Sequence, residues 1–298
     1  MDVVLSLHDF LQAPASEVAK VAPQTIILTT GGTRRAAALA GISPTTDEYA
    51  TFTMAQMLSC LQLLFDHGIR YIFAGIMTEA NYHEITPNYR ENLVRWTEEG
   101  LASSQALQQY RQLNWQVRLL GAHAWPELAP VARRLEQEIP ARRNGPAVWF
   151  TIATDPDDYW HLVAGKIIEH GKFSRSQVIR AILGQDVPPA TLYLGSGKPQ
   201  LLISLVPPVL IGKLECYWRQ HLGFALDKAT LRHILYDYAY IRNTSMRDKT
   251  GRAERALHYR QAWENPPVVG LGTRLGPFWY PAPISPVPDP LNEGHPHG

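Results

Sequence analysis

The 298-residue sequence predicts an α/β fold, with a mainly parallel central sheet flanked by helices. Three observations carry that expectation. Short β-type runs alternate with longer helical patterns, as in sheets whose parallel strands are joined by crossover helices. One run, Tyr71-Ile72-Phe73-Ala74-Gly75-Ile76-Met77, is apolar throughout, as befits a strand covered on both faces. No internal repeat or linker divides the chain, so residues 1–280 are expected to form a single domain.

In order, Thr25-Ile26-Ile27-Leu28-Thr29 reads as the first strand. Arg34-Arg35-Ala36-Ala37-Ala38-Leu39-Ala40 favours helix through its alanines, with Gly41 as its stop. Asp47 can cap the next helix. Its apolar positions Met54, Met57, Leu58, Leu61, Leu64 and Phe65 follow helical spacing, and His67-Gly68 ends it. Beyond the Tyr71 strand, a helix is expected from Tyr89 to Tyr110 and a strand over Gln116-Val117-Arg118-Leu119-Leu120. Glu127 to Glu138 reads as helix and Pro140 to Pro146 as loop. Val148 to Ile152 and Thr191 to Leu194 are strand candidates, and Ile211 to Trp218 an edge strand. Leu201 to Leu205 fits a short helix or a strand, since its periodicity does not decide. Asp227 precedes a helix over Leu231 to Ile241. The Pro-rich residues 281–298 are expected to form a mobile tail.

A formal net charge of +1 gives no global attraction for nucleic acid or an anionic membrane. The start, Met1-Asp2-Val3-Val4-Leu5, lacks the pattern of a signal peptide. The longest apolar stretch, Leu201 to Ile211, is too short to span a bilayer and is broken by Pro207-Pro208. A cytoplasmic protein without stable membrane insertion or a nucleic-acid partner is expected. Cys60 and Cys216 lie in apolar segments and read as buried free thiols. The 11 histidines form no metal-ligand grouping. Asp155-Pro156-Asp157-Asp158 reads as a capped turn after a strand before it reads as a Mg²⁺ site.

The chemistry concentrates where the first strand turns into a helix, since parallel sheets bind ligands beyond the carboxyl ends of their strands. Gly31 and Gly32 remove side chains that would block close approach, and a helix N-terminus offers backbone N–H groups to an anion. Thr33 can cap the helix or donate its hydroxyl. Arg34 and Arg35 supply planar donor forks that match phosphate. No Gly-x-Gly-x-x-Gly or phosphate loop is present, so a nucleotide enzyme is not indicated. Spacing alone leaves a tight turn with two solvated arginines equally open.

The set Gly31-Gly32-Thr33-Arg34-Arg35, His67-Gly68-Ile69 and Thr230-Leu231-Arg232-His233-Ile234-Leu235-Tyr236-Asp237 resembles the diterpene synthases of the tuberculosinol synthase type. Val269-Gly270-Leu271-Gly272 followed by Phe278-Trp279 is similar to their ending, and Thr78-Glu79-Ala80-Asn81-Tyr82 to a motif of ordinary cis-prenyltransferases. The resemblance implies a cis-prenyltransferase-like fold and a homodimer. It implies a prenyl or diterpenyl diphosphate substrate, a bicyclic C20 allylic diphosphate of clerodane or halimane type, with water quenching the cation. Gly31, Gly32, Thr33, Arg34, Arg35 and Lys198 (in Ser196-Gly197-Lys198) would then bind diphosphate. Tyr49 and Tyr89 would join Arg34 and Arg35 as catalytic residues.

The family places Asp where this chain has Gly31, so the implied Mg²⁺ has no assigned ligand; Asp47 and Glu79 are candidates. Trp96, Trp115 and Trp149 are candidate pocket linings. Two alternatives stay open: a transferase using a nucleoside or isopentenyl diphosphate as acceptor, and a non-catalytic partner subunit.

Overall fold

Six strands form one sheet: β1 (Thr25–Thr29), β2 (Tyr71–Met77), β3 (Gln116–Leu120), β4 (Ala147–Ile152), β5 (Ala190–Ser196) and β6 (Ile211–Arg219). Their order is β3-β4-β2-β1-β5-β6, and every pairing is parallel. This computed structural model describes residues 5–141, 145–153, 155–171 and 174–242, with parts of 250–280. The tail 281–298 and the segment 269–272 lie outside the described residues.

Four of the five crossovers carry α-helices, and the one from β5 to β6 has two 3-10 turns, Ile203–Leu205 and Pro208–Leu210. In chain order the helices are α1 (Leu7–Gln12), α2 (Ala15–Val18), α3 (Thr33–Leu39), α4 (Asp47–Asp66), α5 (Glu79–Tyr82) and α6 (Tyr89–Ala102). They continue with α7 (Ser104–Gln112), α8 (Ala129–Glu138), α9 (Pro156–His170), α10 (Arg175–Leu183) and α11 (Lys228–Tyr236). Strand alternation divides the core. Ile26, Leu28, Ile72 and Phe150 face one layer, with Phe10 of α1, Leu61 of α4 and Leu235 of α11. Ile27, Phe73, Trp149 and Tyr193 face the other, with Ile179 and Leu183 of α10. β1, β2 and β4 are covered on both faces, as the unbroken apolar runs require.

Several sequence expectations need correction. The helix expected from Tyr89 to Tyr110 is two helices, α6 and α7, broken at an extended Ser103. The Ser103 hydroxyl accepts from the Ala106 N–H, so a residue inside a helical pattern acts instead as a cap. The late helix begins at Lys228, with the Asp227 side chain accepting from the Thr230 N–H, and widens to a π-helix over Asp237–Ile241. Leu201 to Leu205 contains only a 3-10 turn, Ile203–Leu205. Cys216 is half-buried on β6, whereas Cys60 is buried, with its thiol pushed up to about 12 by burial; both are free. The chain also forms α1, α2, α9 and α10, and an antiparallel pair β7 (Thr273–Leu275) and β8 (Phe278–Tyr280), which the sequence did not announce.

One buried polar pair fastens the N-terminal helices to this frame. His67 closes α4, and Gly68, at φ +93°, follows it. A Cβ on Gly68 would lie 2.6 Å from that of Ala19, so only glycine lets the chain turn there. His67 Nδ1 faces the Leu63 carbonyl at 2.8 Å and Nε2 accepts from Arg232 Nε at 3.2 Å. Arg232 Nη1 donates to the carbonyls of Leu11 and Ala13, each at 2.7 Å. The imidazole must therefore be neutral, with its proton on Nδ1. Burial first, and the Arg232 charge as well, push its pKa below 6.5.

The unfolded chain thus binds the proton more readily than the folded one. This contribution to stability is complete above about pH 6.5 and is lost as pH falls through the depressed folded pKa. The unfolding free energy from denaturant titration should decline between about pH 7 and pH 5. A His67→Gln variant, neutral throughout and still able to accept from Arg232, should show a flatter profile over that range.

Candidate active site

β1 runs out at Thr29, and Gly32, at φ +82°, forms the cap from which α3 starts. A Cβ on Gly32 would lie 2.9 Å from both Leu222 Cδ2 and Arg35 Nη2, which explains the glycine. The Gly31 carbonyl accepts from the Gly223 N–H at 2.8 Å, pinning the junction to the loop after β6. Gly32 supplies no side-chain cap, so the first N–H groups of α3 are not met by a cap side chain. Thr33 does not cap either. Its Oγ1 shares a hydrogen bond of 2.8 Å with the Tyr49 hydroxyl on α4.

A cavity of about 780 Å³ opens at this junction, within the roughly 300–1,000 Å³ of small-molecule pockets. Its mouth is polar: Gly31, Gly32, Thr33, Arg34, Arg35 and Lys198 line it. Its throat is apolar, walled by Met54 and Met57 of α4, Leu93, Trp96 and Gly100 of α6, Leu205 and Phe224. Tyr49 and Tyr89 stand between the two. The rings of Tyr49 and Trp96 meet edge to face at 4.8 Å, and Tyr89 approaches Trp96 at 6.5 Å. Every diphosphate-binding and catalytic residue nominated from the sequence therefore lines one cavity, as does Trp96. Trp115 and Trp149 do not. Trp115 packs on Phe65 and Tyr110 within the core, and Trp149 stacks on Phe73 at 5.0 Å on the other side of the sheet.

Arg34 is held by a carboxylate that the sequence did not single out. Its Nη1 and Nη2 donate to Glu84 Oε1 and Oε2 at 2.8 and 2.9 Å. The pair raises the Arg34 pKa and lowers that of Glu84, each chiefly through this hydrogen bond. The Arg34 guanidinium carbon lies 4.8 Å from the centre of the Tyr89 ring. Asn81 Oδ1 accepts from the Thr78 N–H at 2.8 Å, and its Nδ2 donates to the Tyr89 hydroxyl at 2.6 Å. Burial raises the Tyr89 pKa, and the Arg34 charge opposes that rise.

Arg219 was also missed. It is buried beneath the loop that carries Lys198, donates to Ser196 Oγ at 3.4 Å and to the Gly223 carbonyl at 3.4 Å, and also bonds the Ala225 carbonyl. Its own carbonyl accepts from the Gly197 N–H at 3.1 Å. It braces the two loops that flank the mouth. A charge at the buried end of β6, on a strand that also carries Lys213 and Glu215, gave no distinct sequence signal; Asn81 lay inside a recognised motif, and Glu84 had no signal.

Asp47 and Asp155 lie outside the described cavity lining. Asp47 faces solvent and pairs with Arg95 at 3.3 Å. Glu79 opens α5, but its side chain lies outside the described residues. The Asp155 side chain accepts from the Asp157 N–H and caps α9. Among the described residues no group of three His, Cys, Asp or Glu could hold a metal ion, and the described cavity lining contains no Asp or Glu. Mg²⁺ takes oxygen ligands and commonly a carboxylate. The lining described here does not fit a protein-held Mg²⁺.

No protein-family profile matches the chain. It is 43% identical over 276 residues to (+)-kolavelool synthase of Herpetosiphon aurantiacus, covering 93% of this chain and 95% of that protein. It is 23% identical over 270 residues to tuberculosinyl adenosine transferase of Mycobacterium tuberculosis, covering 80% and 84%. Its fold is similar to lavandulyl diphosphate synthase from Lavandula x intermedia in complex with dimethylallyl diphosphate, at a TM-score of 0.58 and 15% identity over 74% of this chain and 97% of that one. A probable undecaprenyl diphosphate synthase from Campylobacter jejuni gives 0.53 and 14%, over 75% and 97%. The six-stranded parallel sheet is thus that of the cis-prenyltransferases, and the chain belongs to the diterpene synthase family that includes (+)-kolavelool synthase.

Proposed function

We propose that this diterpene synthase ionises a bicyclic C20 allylic diphosphate, of clerodane type such as kolavenyl diphosphate or of halimane type, and quenches the cation with water. The product is a tertiary diterpene alcohol plus pyrophosphate. The observation that carries this reading is the division of one cavity into a cationic mouth and an aromatic, apolar throat, with two tyrosines at the boundary. An amphiphile with an anionic head and a hydrocarbon body matches both halves.

The carbon–oxygen bond to the diphosphate breaks with its electron pair leaving on oxygen. Arg35, Lys198 and the first N–H groups of α3 stabilise that growing charge. Tyr49, Tyr89 and Trp96 turn aromatic surface towards the throat, where a carbocation is attracted to ring faces. Water adds its oxygen to the tertiary carbon, and the released pyrophosphate accepts the proton. A nucleoside as acceptor is the second reading, favoured by the relative named for transfer to adenosine. Isopentenyl diphosphate as acceptor is disfavoured by the loop after β5, Ser196-Gly197-Lys198, which lacks the arginine-rich pattern of chain-elongating enzymes.

Incubating the protein with geranylgeranyl, halimane-type and clerodane-type diphosphates should give an alcohol and pyrophosphate from a bicyclic substrate, identified by mass spectrometry. In ¹⁸O-labelled water the alcohol should carry the label. An adduct formed only when a nucleoside is added would favour the second reading, and no pyrophosphate from any of them would favour a non-catalytic subunit.

The Mg²⁺ implied by the resemblance would have to come bound to the diphosphate oxygens and water, since the described lining offers no carboxylate. A Cβ on Gly31 would have the Ser196 carbonyl as its nearest neighbour, at 3.4 Å, and Gly31 is not in the left-handed region. Gly31→Asp should therefore fold normally and bind Mn²⁺, read by electron paramagnetic resonance, more tightly than the parent. The homodimer, which the resemblance implies, would use β6, the strand at the sheet edge next to β5. Sedimentation at micromolar concentration should give twice the chain mass.

A further inference from the structure

Arg34 and Arg35 are consecutive and both line the mouth of the cavity, yet Arg34 has a dedicated partner outside it. Each of its terminal nitrogens donates one N–H to an oxygen of Glu84. Thr86 Oγ1 donates to the same carboxylate at 2.8 Å, so Glu84 is itself held. A bidentate pair fixes the direction and the rotation of a guanidinium, which a single contact does not. Here it leaves Arg34 beside the Tyr89 ring, while Asn81 fixes the hydroxyl of that tyrosine. Glu84 lies in the segment between α5 and α6, so the pair also ties the start of α6 to the start of α3.

We propose that Glu84 is a positioning residue for the reaction: it holds Arg34 against Tyr89 and leaves the anionic head group chiefly to Arg35 and Lys198. This rests on the diphosphate reading above. The two arginines then divide the work. Arg35 binds the anion, and Arg34, neutralised by Glu84, sets Tyr89 at the boundary where the head group meets the hydrocarbon. Without the Glu84 charge, Arg34 is released towards the anion. Binding of the anion should then hold or tighten while turnover falls, which separates this role from simple electrostatic attraction.

The test compares the parent protein with Glu84→Gln, Glu84→Asp, Arg34→Gln and Arg35→Gln, each checked for folding by circular dichroism. Binding of inorganic pyrophosphate is measured by calorimetry, and kcat and KM with whichever C20 diphosphate turns over. Arg35→Gln should weaken pyrophosphate binding by about tenfold or more, as expected for a lost charge-assisted hydrogen bond. Arg34→Gln should weaken it by less than about threefold, and Glu84→Gln should not weaken it at all. Both of the latter should lower kcat by about tenfold with little change in KM, the mark of an interaction needed in the transition state. Glu84→Asp, which keeps the charge, should recover part of that loss. Equal weakening of pyrophosphate binding in the two arginine variants, or an unchanged kcat in Glu84→Gln, would overturn the proposal. A parent protein that binds no pyrophosphate and releases none would overturn the diphosphate reading, and the role of Glu84 with it.

Discussion

The close approach of backbone to side chain at Gly32 is the constraint around which the site is assembled. Because no Cβ stands there, Leu222 and the Arg35 guanidinium can both close on the turn between β1 and α3. The hydrogen bond from Gly223 N–H to the Gly31 carbonyl then sets the loop after β6 against that turn. Arg219 extends the bracing to the loop after β5, through Ser196 and Gly197. Three segments far apart in sequence thus share one small volume. The parallel sheet makes this possible, because β1 lies between β2 and β5 and all of their carboxyl ends point the same way.

The cavity is a consequence of how α4 and α6 leave that junction. Met54 and Met57 of α4 lie in the core and also line the cavity, with Leu93 and Trp96 of α6. The polar groups stay at the rim, where charge is less costly to hold than in the apolar depth. Tyr49 and Tyr89 suit the boundary, with an apolar ring and a hydroxyl that has a partner in each case. On the proposed function, the site thereby separates two jobs, stabilising a leaving anion and sheltering a cation.

Much of this was legible in the sequence. Short, unbroken apolar runs gave the strands, and the helical spacing of Met54, Met57, Leu61 and Leu64 gave α4, because burial on both faces and helix geometry each leave such patterns directly. Gly31-Gly32-Thr33-Arg34-Arg35 marked the turn after β1 as a candidate site, and those residues do line the cavity. Where local signals competed, the reading failed. Ser103 looked like part of one long helix until its cap bond to Ala106 showed it to be a break. Trp115 and Trp149 resembled Trp96 as sequence, and only packing sent them to the core and Trp96 to the throat.

What the sequence determined by itself was the element pattern, the polar turn after β1 and the set of short motifs that carries the family resemblance, because each is written in contiguous residues. What only the tertiary structure decided was partnership. Arg34 meets Glu84 across fifty positions, Arg232 meets His67 across 165, and Arg219 reaches Ser196 across 23. No periodicity or spacing encodes such pairs. They exist because burial leaves each charged or polar group the choice of a partner or a desolvation cost, and the folded chain alone determines which partner is within reach.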